Sequence, residues 1–163
     1  MSVQLRISQQ QEALSLEPGD KDTLQASYGN QGLTLQACGR LEEAFELHKK
    51  EEALCLELGN KDGLQRSYGL QSLILKAWGR LKEAFELLKK QEALCLELGN
   101  RSSLGYCYWN WGLLAREQRD CNTEREKLAA ALDIFTELNM PRERDRVRTE
   151  LEKTTATAAD RAT

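Results

Sequence analysis

The ten residues EEALCLELGN at 51–60 return as QEALCLELGN at 91–100, and a looser copy, QEALSLEPGD, stands at 11–20. Matched positions fall forty apart: Glu12, Glu52 and Glu92, and again Tyr28, Tyr68 and Tyr108. Residues 41–60 and 81–100 differ only at Glu42/Lys82, His48/Leu88 and Glu51/Gln91. A fixed period of about 20–50 residues restricts a chain to a solenoid or an array. One such unit has two flanks to cover and must stack on its neighbours to cover them.

The punctuation inside a unit is regular. LGN at 58–60 and 98–100, with PGD at 18–20, supplies a glycine to close one helix and Asn or Asp to cap the next. Gly39-Arg40 and Gly79-Arg80 supply a second break half a unit later. The stretches between are about 18 residues, roughly 27 Å of helix at 1.5 Å per residue. Leu64, Tyr68, Gln71, Ser72 and Leu75 share one helical face. Leu81, Ala84, Leu88, Cys95 and Leu98 trace a second stripe, interrupted by Gln91. No alternation by twos persists and β-branched runs are nearly absent, which excludes strands. The two prolines, Pro18 and Pro141, stand at helix ends. The prediction is all-α: an α-solenoid of antiparallel helix pairs, about seven helices in all.

A net charge of −3 lacks the basic excess of a nucleic-acid binder. No apolar run approaches the ~18 residues of a membrane span, and the N-terminus has no signal-like order. Cys38, Cys55, Cys95, Cys107 and Cys121 form no CxxC pair. They are expected as small buried residues in a reducing, cytoplasmic setting. His48 is the one histidine, and its counterpart is Leu88. A residue interchangeable with leucine is expected to be a half-buried packing residue rather than a base. Glu42-Glu43 and Glu51-Glu52 read as solvated faces pairing with Lys49-Lys50 at helical spacing. With no nucleophile–base pair, converging metal ligands or phosphate loop, no enzymatic activity, cofactor or metal is expected.

GRLEEAFELHKKEEA (39–53) and GRLKEAFELLKKQEA (79–93) resemble the tetratricopeptide repeat. Gly32, Ser72 and Gly112 match the small residue of its first helix; Gly39 and Gly79 match the turn. Ala44 and Ala84 match the alanine of its second helix, and Tyr28, Tyr68 and Tyr108 its aromatic. The period exceeds the usual ~34 residues, so the likeness is to the elongated kind found in kinesin light chains and bacterial signalling arrays. It implies a right-handed superhelix, divided as a partial repeat (1–18), three repeats (19–59, 60–99, 100–140), a capping helix (141–155) and a frayed tail (156–163). Arg119 and Glu124 depart from the turn glycine and the alanine, and AALDIFTEL (130–138) matches two residues out of step. Such a drifting unit is expected of a cap.

The resemblance also implies a concave groove lined by first helices. Its expected lining is Ala26, Gly29, Asn30, Leu33 and Gln36, then Arg66, Gly69, Leu70, Leu73 and Lys76, then Tyr106, Trp109, Asn110, Leu113 and Arg116. Of these, Asn30, Leu33, Arg66, Leu70, Leu73, Lys76, Tyr106, Trp109, Asn110, Leu113 and Arg116 are the candidate contacts for a partner peptide or helix. Asn30 and Asn110 match the asparagine ladder of elongated members, and Leu70 breaks it. Arg66, Lys76 and Arg116 form an expected basic edge. Gly29 and Gly69 each cost about 1 kcal/mol within a helix, which points to close packing. Trp111 is expected in the core and Trp78 at a turn. The implied function is an interaction scaffold for a protein or peptide, without nucleic acid or membrane. The unpaired helix at about 4–17 suggests a fragment of a longer array, or an edge through which copies self-associate. Near-identity of the units fits recent duplication or a deliberately repeated, engineered sequence.

Overall fold

A computed structural model describes residues 20–160 of the chain. The helix expected at about 4–17, and with it the partial repeat, lies outside the described residues. Within them are seven helices: α1 (Lys21–Ala37), α2 (Leu41–Leu58), α3 (Lys61–Ala77), α4 (Leu81–Leu98), α5 (Arg101–Glu117), α6 (Cys121–Glu137) and α7 (Pro141–Asp160). α7 continues past residue 155, where the sequence pattern ended it. No strand occurs among the described residues.

The helices begin and end where the caps predict. The Asn60 side chain accepts a hydrogen bond from the Gly63 N–H, and Asn100 does the same for Ser103, satisfying donors that a first turn leaves open. Gly59 and Gly99 close α2 and α4 in the left-handed region, at φ 67° and 64°. Consecutive helices pack on each other along the chain, and α3 also touches α5, so successive first helices line one side.

The third unit corrects the sequence analysis: it keeps step. α6 begins forty residues after Leu81, and Asn139, at φ 52°, stands forty after Gly99. Arg119, at φ 60°, likewise takes the turn of Gly79. Ion pairs Lys21–Glu57, Lys61–Glu97 and Arg101–Glu137 join the outer ends of each helix pair at the same interval. Letters drift because volumes are exchanged in pairs. Phe135 stands where Cys55 and Cys95 stand, and Gly105 replaces Gln25 and Gln65. A Cβ on Gly105 would lie 2.8 Å from Phe135 Cε1, so the smaller residue makes room for the ring.

The core runs the length of the stack. Leu75, Ala84, Leu88, Cys107 and Leu114 form one cluster, and Leu128, Ala131, Phe135 and Val147 another under α7. All five residues of the first predicted stripe are buried. The second needs two corrections. Leu98 is 42% exposed, because it lies in the last turn beyond the neighbouring helix. Gln91 is buried rather than interrupting, with its amide nitrogen 3.3 Å from Gln65 Oε1.

Candidate interaction surface

α3 is the most enclosed helix, and ten of its 17 residues are buried. What it leaves open is a narrow stripe: Arg66 exposed, Leu70, Leu73 and Lys76 half-buried. On α1 the same positions leave Ala26, Asn30 and Leu33 exposed and Gln36 half-buried. On α5 they leave Tyr106 exposed and Trp109, Asn110, Leu113 and Arg116 half-buried. Leu33, Leu73 and Leu113 thus hold one helical position in three successive first helices, each with solvent access. Gly29 and Gly69 are buried behind this stripe. A Cβ on Gly29 would lie 2.5 Å from Glu51 Oε1, and one on Gly69 2.7 Å from Gln91 Nε2. Close packing is therefore why these glycines are tolerated.

The charge on this surface differs from the expected basic edge. Arg66 Nη2 lies 2.6 Å from Glu51 Oε1, and the Glu51 side chain is wholly enclosed. The expectation of a solvated Glu51 is wrong, since Gly29 leaves space for the carboxylate to turn inward. There its second oxygen meets His48 Nδ1 at 3.1 Å, while Gln25 Nε2 lies 3.3 Å from the first. Burial pushes the Glu51 pKa up, but hydrogen bonds from His48 and Arg66 outweigh it and hold the carboxyl below its ordinary range. His48 is completely buried against Gly32, not half-exposed. Arg116 is also committed: Nε lies 2.6 Å from Glu124 Oε1 and Nη1 2.5 Å from Glu150 Oε2. Burial alone would lower the Arg116 pKa, and the hydrogen bonds it donates to Glu150 and Glu124 raise it instead. Two of the three arginine and lysine side chains on the predicted edge are therefore neutralised within the chain.

Trp109 and Tyr106 belong partly to the closing helix. Their rings stack at 6.3 Å and 21°, Phe135 meets Trp109 edge-on, and the Arg146 guanidinium lies 5.0 Å from the Trp109 ring centre. The Tyr106 hydroxyl donates to Glu143 at 3.1 Å. Trp111 is half-buried at the edge of the α3–α5 core cluster, and Trp78 packs on Phe45 with ring centres 5.2 Å apart.

The network around Glu51 was missed, although a signal for it stood in the sequence. Two of the three differences between 41–60 and 81–100 are its members, His48 and Glu51. Among the described residues no group of three His, Cys, Asp or Glu is placed to hold a metal ion. No described helix is long and apolar enough to cross a membrane.

Helix pairs stacked in chain order define an all-α fold of the solenoid class. A solved structure of similar fold is BtubC (BKLC) from P. vanneervenii, with a TM-score of 0.65 at 14% identity. The match covers 86% of this chain and 66% of that one, and at this identity it is a likeness of fold. No protein-family model matches the sequence, and no curated protein does.

Proposed function

We propose that the array is an interaction scaffold that lays a partner peptide or helix along the open stripe of its first helices. The observation that carries this reading is the row Leu33, Leu73 and Leu113. Three leucines at one helical position keep solvent access along the first helices, whereas Leu35 and Leu75, two residues further on, are buried; the leucines exposed elsewhere, Leu56, Leu58, Leu96, Leu98 and Leu138, lie at the C-terminal ends of the second helices. Side chains spaced by one repeat suit an extended or helical polypeptide better than a small molecule. Asn30 and Asn110 flank the row with amide groups able to bond a peptide backbone. Arg66 and Arg116 act here as walls of fixed charge, since both are already paired, and Lys76 supplies the cation at this edge.

A displayed random-peptide library selected on the full chain tests the reading. Selected peptides are expected to lose at least tenfold in affinity to Leu73→Asp and to Leu70→Asp, with circular dichroism unchanged. Retained affinity in both folded variants would overturn it.

A further inference from the structure

Three residues recur together between one first helix and the next, each set forty positions from the last. The first set is Gly29, Glu51 and Arg66. There the glycine leaves room, the carboxylate turns inward, and the guanidinium closes on it at 2.6 Å. The second set, Gly69, Gln91 and Tyr106, carries no charge. The third is Trp109, Ala131 and Arg146. The arginine returns here, but its acid does not.

α7 begins forty residues after α5, so Arg146 holds the helical position of Tyr106 and Arg66 on the open stripe. Trp109 packs on the cluster that contains Ala131, and the exposed Arg146 guanidinium lies 5.0 Å from its ring centre. An aromatic face holds a guanidinium by its plane and leaves the N–H donors around its rim open to an acceptor. Among the described residues Arg146 forms no ion pair, whereas Arg66 has Glu51, and Arg116 has Glu124 and Glu150. Arg142, one turn earlier and also exposed, forms none either. The acids of α7 near them are engaged. Glu143 accepts the Tyr106 hydroxyl at 3.1 Å, Asp145 lies 2.9 Å from Arg144 and 3.5 Å from Arg148, and Glu150 bonds Arg116 and Lys153. Beside Tyr106 that leaves one carboxylate, Glu143, against two guanidinium groups.

We infer that α7 is part of the recognition surface and not a cap alone, and that Arg146 receives the carboxylate of an aspartate or glutamate side chain on the partner peptide. The chain itself supplies the precedent, since the arginine at this position takes a carboxylate wherever the repeat provides one. The planar fork suits two parallel hydrogen bonds to such a group, and Arg142 adds to the positive potential there. This inference rests on the stripe being where a partner lies, and adds what the partner carries at the α7 end.

The probe is the displayed random-peptide library, fused through its C-terminus so that every peptide carboxylate comes from a side chain. Peptides selected on the full native chain are expected to be enriched in Asp or Glu at one position. Replacing that residue by its amide in an amidated synthetic peptide is expected to weaken binding at least fivefold to the native chain and less than twofold to Arg146→Gln. Selection on Arg146→Glu is expected to replace the acidic preference by Lys or Arg. Arg146 is exposed, and circular dichroism checks that both variants stay folded. Peptides that depend on Leu73 but show no acidic preference overturn this inference and leave the stripe standing. So does an equal amide effect in the native chain and Arg146→Gln. A library yielding no Leu73-dependent peptide overturns both readings.

Discussion

Position 51 buries a carboxylate where position 91, its repeat equivalent, has an amide. Removing one partner of a buried ion pair costs about 3–5 kcal/mol in an enclosed site, and less here because Arg66 is 42% exposed. The pH dependence follows from the depressed pKa. Its contribution to stability is present above the ordinary value of 4.5 and is lost as pH falls through the folded-state value. Urea midpoints from about pH 6 to about pH 3 are expected to fall less steeply in Glu51→Gln than in the native chain. Some acid sensitivity remains in the variant, because Glu150 is also held low: burial raises it, and Lys153 and Arg116 lower it further. A parallel loss in both proteins would show that the Glu51 pair contributes nothing measurable. The buried thiols behave as the cysteine reading expected, with burial pushing Cys55 and Cys95 up to about 11 and Cys107 up to about 12. Cys38, by contrast, is exposed.

At the scale of helices, caps and turns carry the chain's regularity more faithfully than side-chain identity does. Arg119 and Asn139 adopt left-handed backbone that glycine holds at Gly79 and Gly99. A residue with a Cβ pays about 1–2 kcal/mol there, and asparagine less because its side chain bonds locally. Arg119→Gly is expected to raise stability by about 0.5–1 kcal/mol, and Asn139→Gly by less, in urea unfolding. Lower stability in Arg119→Gly would mean that its side chain matters more than its backbone. These two positions also explain how far the sequence could be read. Glycine-plus-Asn turns and the Tyr28, Tyr68, Tyr108 spacing made the helix pairs legible, since they are local signals of fixed type. The alignment of the third unit was not, because Gly105/Phe135 replaces Gln65/Cys95 as a volume-compensated pair that letter matching scores as two losses. The open stripe was legible as a helical face. The ion pairs of Arg66 and Arg116 were not, since Glu51 lies on a neighbouring helix and Glu150 34 positions away.

Across the whole molecule, energy is shared mainly between neighbours, so length is adjustable in steps of one unit. Inserting a second copy of residues 61–100 after Asn100 keeps the cap, since Asn100 then precedes Lys61 as Asn60 does, and adds one new junction, in which an uncharged Gln91 meets the second Arg66 in place of Glu51. Excising the same residues joins Asn60 to Arg101 with equal geometry, yet puts Tyr106 where Arg66 met Glu51. Calorimetry is expected to show the inserted chain melting no lower than the native one and the excised chain losing about 1–3 kcal/mol. Equal loss in both would mean that shortening alone is responsible.

The buried acid therefore acts as a key cut for one lock. Shape allows any hairpin to follow any other, whereas the enclosed charge of Glu51 prefers a successor carrying arginine at the matching place. Serial order along the stack is written into electrostatics, even where the backbone would accept a shuffled deck.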